Sequence, residues 1–401
     1  MSFFTYNNLL KLIAAKSLKK SSIFMLKFNT TLMKYKIIAL LLTLSSIATA
    51  QFRKYSNEFL NIGAGARAMG MGSAQVASSG DGTSTFWNPA GLTQVKDNPV
   101  LTLQHAEYFG GIGKYDFASL VKPAKDQKLA LGISLIRFAI DDIPNTLFLV
   151  NPADGSVNYG NITTFSNADY AVLVSLAKEW KKNENKTISI GGNAKIIYRS
   201  VGSFAKAWGF GLDLGIQSRG RRGGWGIVAK DVTSTFNAWT FNFTEPEKQV
   251  LYVTKNDIPL KSTEITAPRL SAGGYHDFII NKKITLKAEG SLDITFDGKR
   301  NTVIASDPIS IDPHLGLELA INKSIYLRGG ITNFQQALAD KDTMNQKKVW
   351  IYQPSAGVGF KIKDVTIDYA FANLANQSEP LYTHIVSLSL ALRKQKKNGK
   401  K

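Results

Sequence analysis

The sequence predicts an all-β fold: a 14-stranded antiparallel transmembrane β-barrel with an N-terminal plug segment. Three observations point there. From Pro99 onward, segments of roughly eight to fourteen residues alternate apolar with polar or small positions, the period of strands with two unlike faces. The connections between these segments alternate short and long. A stretch with the form of an export signal precedes them all, and the chain has no cysteine.

Residues 1–50 carry seven lysines and no acid. Met33-Lys34-Tyr35-Lys36 forms a short basic region and Ile37 to Ile47 an apolar core shorter than the ~20 residues a spanning helix needs. Ala48-Thr49-Ala50 is a small-residue cleavage site. The expectation is a secretory signal cleaved after Ala50, with Met33 an alternative start to Met1 and Gln51 the first mature residue. Of the 49 Lys and Arg against 30 Asp and Glu, loss of those seven lysines leaves a mature charge of about +12, basic but with no nucleic-acid-binding fold behind it.

The absence of cysteine excludes disulfides, thiolate metal sites and a lipidated lipoprotein cysteine. His105, His276, His314 and His384 are scattered, with no H-x-x-x-H pair. No metal, no cofactor and no nucleophile-base pair are therefore expected, and no enzyme activity.

Residues 51–98 form the lead and plug. Gly63 to Leu92 is neither signal nor strand. Its first half is mostly Gly and Ala around Arg67, Met69 and Met71, which suits backbone packed closely against surrounding walls. Its second half combines Gly80-Asp81-Gly82 with Phe86-Trp87-Asn88-Pro89-Ala90-Gly91, turn formers beside a large aromatic anchor. Pro89 biases Asn88 to an extended conformation, so this half reads as a fixed corner. Gly63-x-Gly65-x-x-Ala68 also fits a relaxed dinucleotide fingerprint, but that motif requires a βαβ unit and no helix-strand alternation follows. The candidate plug motif is Arg67, Gly70, Gly72, Trp87, Asn88 and Pro89.

Residues 99–392 are the barrel, with strands expected to begin near Pro99, Lys114, Gln127, Asn167, Thr187, Lys206, Gly224, Thr266, Ile284, Ile309, Ser324, Trp350, Asp364 and Thr383. In the clearest, Ile284, Leu286, Ala288, Gly290, Leu292, Ile294 and Phe296 face one way and Thr285, Lys287, Glu289, Ser291, Asp293 and Thr295 the other. Every second connection is short: Val121–Asp126, Lys181–Lys186, Ser218–Gly223, Phe278–Lys283, Ile321–Lys323 and Lys361–Lys363. The three longest, 139–166, 232–265 and 333–349, fall at the other end, the short-inside, long-outside arrangement of an outer-membrane barrel. A soluble sandwich or propeller has no reason to obey it.

The short turns are rich in Lys and Arg, and the tail 393–401 adds six more positive charges. This basic rim reads either as attraction to anionic phospholipid headgroups of the inner leaflet of the outer membrane or to an acidic partner in the periplasm, or as turns kept soluble by lysine. The long loop Val232–Ile265 has no evident structure and carries Phe236, Trp239, Phe241 and Phe243, a candidate cargo-contact surface.

Arg67-Ala68-Met69-Gly70-Met71-Gly72, followed by Trp87-Asn88-Pro89-Ala90-Gly91-Leu92, resembles the N-terminal signature of the PorV/PorQ family of Bacteroidetes outer-membrane proteins. Phe59-Leu60-x-x-Gly63-x-x-Ala66-Arg67 leads into the glycine motif in the manner of PorV more than PorQ. That family in turn resembles FadL-type barrels, fourteen-stranded with an N-terminal segment in the lumen. The resemblance covers Phe59 to about Leu392. It implies an integral outer-membrane component of the type IX secretion system that binds cargo bearing a C-terminal sorting domain and carries it from the translocon barrel to the attachment machinery. Its implied partners are those proteins and that cargo. The lysine-rich end after Leu392 departs from barrels that finish on an aromatic residue. The alternative is a FadL-like transporter of hydrophobic small molecules, which needs an apolar pocket near the plug.

Overall fold

The computed structural model describes residues 54–151, 154–258, 261–338, 348–372 and 382–393. The expected signal and its cleavage site, and the basic tail beyond Arg393, lie outside the described residues.

Among the described residues seventeen strands follow the plug: β1 (Val100–Tyr108), β2 (Gly113–Pro123), β3 (Leu129–Asn145), β4 (Thr163–Lys182), β5 (Lys186–Val201), β6 (Ala205–Gly220), β7 (Gly223–Lys230), β8 (Phe236–Phe241), β9 (Lys261–Ile265), β10 (Arg269–Ile279), β11 (Ile284–Thr295), β12 (Ile304–Ala305), β13 (Ser310–Ile321), β14 (Ile325–Leu338), β15 (Lys348–Ile362), β16 (Val365–Ala372) and β17 (Thr383–Ala391). Fourteen of them close a barrel. Each pairs antiparallel with its neighbour, β7 with β10, β11 with β13, and β17 back to β1 with Val100 opposite Ala391. Closure removes the unpaired edges that lipid would not tolerate.

The remaining three are local additions. β12 is a two-residue bridge on β13. β8 and β9 form a hairpin that continues β6 past the end of β7, with Trp239 opposite Ala207. The segment expected to be a structureless loop is thus an ordered excursion, which also holds helix α3 (Glu245–Val253). Glu247 accepts from the Thr244 amide in a capping box that starts that helix. Strands β3 and β4 likewise run further than the alternation suggests. Their ladder continues to Asn145 opposite Thr163 across a bulge at Ile140/Ile143, where polar residues end the apolar pattern while backbone pairing persists.

The two faces separate as the period of two requires. Leu131, Ile133, Leu135, Val174, Leu176, Ile196, Leu214, Leu315, Leu317, Leu327, Ile367 and Val386 are exposed on the outer wall. Tyr170, Tyr198 and Trp208 lean on one another along it towards the long-loop end, while Trp180, Trp225 and Phe278 stand at the short-turn end. An apolar band between aromatic girdles is the surface of a membrane-spanning barrel. Inward positions are mixed: in β11, Glu289, Ser291 and Thr295 are buried, whereas Tyr115, Phe117, Ile136 and Ile197 form an apolar cluster against the plug. The N-terminal segment packs inside the lumen against these inward faces.

Candidate functional site in the plugged lumen

The plug begins at the long-loop end. A 3-10 turn over Glu58–Asn61 is tied there by Asn57, which donates to Thr266 (2.8 Å) and accepts from Asn237 (3.0 Å). The chain then descends through helix α1 (Ala66–Gly70) and α2 (Ser84–Trp87) to a 3-10 turn over Pro89–Gln94, and leaves at the short-turn end into β1.

The first half packs backbone on backbone. Gly70 and Gly72 are buried, and a Cβ on Gly72 would sit 2.5 Å from the Ile331 amide nitrogen; the residue also has φ +61°, so glycine is required there twice over. Arg67 is the exception to the small residues, and it latches the plug to the wall. Its guanidinium donates to both Glu318 oxygens at 2.9 and 3.2 Å and lies 3.7 Å from Asp81. Glu318 also accepts from Arg328, which bridges on to Asp368, each at 2.8 Å. A second wall carboxylate, Glu289, accepts from the Ala77 and Ser78 amides at 2.9 and 3.0 Å.

The second half is the fixed corner that its sequence suggests. Asp81 accepts from the Thr83 amide and hydroxyl just before α2. Trp87 is buried, its indole donating to the Ala64 carbonyl at 2.6 Å and its ring meeting Phe86 edge-on at 5.0 Å. The corner therefore ties the second half of the plug to the first. Asn88 is extended ahead of Pro89, as the proline demands, and fully buried. It donates to the Val76 and Ile216 carbonyls and accepts from the Ala90 amide, joining plug to plug and plug to β6. Pro89 and Ala90 lie against Gly191 of β5, where a Cβ would come 2.6 Å from the Ala90 nitrogen.

Above this plug, towards the long loops, lies a cavity of about 690 Å³. One side is apolar, with Phe59, Ile62, Met69, Phe86, Trp87, Tyr108 and Phe138; the other carries Asp169, Arg199, Lys230, Arg269, Asp293, Arg300, Asp312 and His314. Most of these charges are already answered. Arg199 holds Asp169 at 2.9 and 3.2 Å, Arg269 pairs with Asp293, and Arg300 reaches Asp297 at 2.6 Å and Glu58 at 3.0 Å. Lys230 has no carboxylate within ion-pair reach among the described residues. Its ammonium instead lies 4.6 Å from the centre of the Phe86 ring and 5.9 Å from that of Trp87. The arrangement offers an unneutralised cation at the edge of an aromatic wall.

The four aromatics of the candidate cargo surface divide between two sides of the hairpin. Trp239, Phe241 and Phe243 are half-buried in a parallel stack, with Trp239 donating to Glu264 at 2.8 Å and covered by Arg199 at 5.1 Å. Phe236, of opposite parity, is exposed. The period of two, applied to β8, could have foretold this split. The wall partners Glu318, Glu289 and Lys230 were not singled out from the sequence, although their inward parity on amphipathic strands marks charges that a lumen must satisfy. Among the described residues no group of His, Asp or Glu has the geometry to hold a metal ion.

No family model matches the chain, and no curated protein matches it. Solved structures do. The CymD monoaromatic hydrocarbon channel aligns over 84% of this chain and 99% of its own, at 15% identity and a TM-score of 0.50. The Pseudomonas putida toluene transporter TodX aligns over 82% of this chain and 98% of its own, at 13% identity and a TM-score of 0.50. A Pseudomonas aeruginosa FadL homologue aligns at 13% identity over 80% of this chain and 96% of its own, with a TM-score of 0.45. At such identities the likeness is one of fold, which this chain shares with the first two.

Proposed function

We propose that this chain is an integral outer-membrane barrel that binds small hydrophobic or amphiphilic molecules in its lumen and passes them across the plug. The observation that carries this reading is the cavity above the plug, with aromatic side chains on one wall and the unpaired Lys230 ammonium beside them. A pocket of this size, largely pre-formed and mixing apolar walls with a few polar anchors, suits a small ligand. The shared fold with CymD, a monoaromatic hydrocarbon channel, and TodX, a toluene transporter, supports the same direction. Export by a signal cleaved after Ala50 belongs to the proposal. The test is extraction and mass spectrometry of molecules co-purifying with the barrel, with uptake of a fluorescent amphiphile into proteoliposomes. Absence of both a bound molecule and uptake would end this reading.

A second reading rests on the PorV/PorQ-like plug motif: a type IX secretion component that binds cargo with a C-terminal sorting domain and hands it from translocon to attachment complex. The observation favouring it is the set of exposed apolar side chains at the long-loop end, including Tyr159, Phe236, Tyr252 and Val253. Such side chains on outer loops suit a protein partner. Affinity purification from native outer membranes distinguishes the two, since recovery of translocon proteins and cargo supports the shuttle and their absence removes it.

A further inference from the structure

The six short turns differ from the rest of the surface in charge, and their placement is set by barrel closure rather than by any one loop. Each carries an exposed cation: Lys125 between β2 and β3, Lys182 at the end of β4 where it turns into β5, Arg222 between β6 and β7, Lys282 between β10 and β11, Lys323 between β13 and β14, and Lys363 between β15 and β16. Among the described residues none of the six has a carboxylate within ion-pair distance. The cations that are neutralised at this end, Lys96 by Glu179, Lys287 by Asp277 and Arg393 by Asp364, lie outside this set. Asp97, Asp126 and Glu184 are the acids left there, too few to cancel the ring. Because these turns occur between alternate pairs of strands around a closed barrel, the positive charge encircles the molecule.

A second feature fixes what faces that ring. Large apolar side chains stand exposed beside the cations: Ile280 at 60%, Ile362 at 70% and Trp180 at 57%, with the Lys181 ammonium 5.0 Å over the Trp180 ring. Side chains that are apolar at one end and cationic at the next residue match the boundary between hydrocarbon and headgroups, where Trp and Lys anchor a membrane protein. A protein partner would be met by a one-sided patch. An annulus of lipid is met by a ring.

We propose that this rim is a binding surface for anionic phospholipid headgroups in the leaflet on the short-turn side, holding a shell of phosphate-bearing lipid around the barrel. The attraction is a sum of exposed charges against a charged surface, so it falls with ionic strength. It does not depend on what the lumen carries.

The experiment reconstitutes the mature barrel in phosphatidylcholine vesicles and measures, by electron spin resonance, the motionally restricted fraction of spin-labelled phosphatidylglycerol against spin-labelled phosphatidylcholine. The wild type is expected to prefer the anionic probe by about threefold or more at low salt, and the preference to fall towards unity by ~0.5 M salt. A variant with Lys125, Lys182, Arg222, Lys282, Lys323 and Lys363 each changed to Gln is expected to show little preference while keeping the heat-modifiable migration of a folded barrel. Should that variant fail to assemble, the salt titration of the wild type decides alone. Equal retention of the two probes by the wild type overturns the proposal, as does a preference that salt leaves intact. Capture of an acidic periplasmic protein without any lipid preference overturns it too, in favour of a protein-facing rim.

Discussion

The Arg67 guanidinium, on the plug, and the Glu318 carboxylate, on β13 of the wall, hold each other through two hydrogen bonds of 2.9 and 3.2 Å. They are separated by 251 positions in the chain. Arg328 shares the same carboxylate and ties it to Asp368, so one plug side chain is joined to three wall residues on β13, β14 and β16.

Removing one partner of such a group strands the others. Arg67→Ala should cost about 3–5 kcal/mol of plug attachment, because Glu318 then stays in the lumen with only Arg328 to answer it. Limited proteolysis should cut within residues 63–92 while the barrel keeps its heat-modifiable migration. A digestion pattern like that of the wild type would show that backbone packing at Gly70 and Gly72 alone retains the plug.

Trp87→Ala removes a buried ring and leaves the Ala64 carbonyl without its 2.6 Å donor. The expected loss is about 3–5 kcal/mol, felt locally at the corner. Hydrogen exchange of the plug amides should rise several-fold, whereas the strand amides should not change. Uniform exchange across plug and barrel would contradict the separation of the two.

Lys230→Met keeps length and apolar contact with Phe86 and Trp87 but deletes the charge. If the cavity takes an amphiphile with an anionic end, the dissociation constant for that ligand should rise about tenfold to a hundredfold, the worth of a charge-assisted hydrogen bond. Affinity for an uncharged ligand of equal size should stay within about twofold. Equal weakening of both would point to altered packing rather than a lost anchor.

The hairpin tests the second reading. Phe236→Ala with Tyr252→Ala alters only exposed rings. If these anchor a protein partner, cargo recovery in affinity purification should drop by about 2 kcal/mol or more in affinity while barrel levels stay normal. Trp239→Ala is a different experiment, because that ring is half-buried against Arg199 and Glu264 and its loss should loosen the hairpin itself.

A pH effect is expected at the mouth. Burial works against ionisation of Asp297, but the Arg300 guanidinium more than offsets it and holds the carboxyl below its ordinary range. The sign follows: a depressed folded value means the pairing is fully present above about pH 4 and is lost as pH falls through the folded value. The Tyr55 amide, 3.4 Å from Asp297, should therefore exchange faster only in acid. Loosening of this segment between pH 6 and 8 would contradict the assignment.

Strand number and facing were legible in the sequence because alternation and turn length are local properties. Ile284, Leu286 and Leu292 against Glu289 and Ser291 declare two solvents within a dozen residues, and the strands expected near Pro99, Ile284, Asp364 and Thr383 begin within one residue of those positions. The plug corner was legible for the same reason, since Asn88 before Pro89 fixes its own backbone. What the sequence left open is what crosses the lumen. Arg67 meets Glu318, Asn88 meets Ile216, and Lys230 meets Phe86 only once fourteen strands have closed around the segment, and no periodicity encodes which inward charge finds a partner and which does not. The hairpin was missed because β8 pairs with β6 and β9 with β8 beyond the end of β7, a long-range pairing that no local pattern announces, and the two strands are short and separated by a helix. Local chemistry determined the wall; closure of the barrel decided the site.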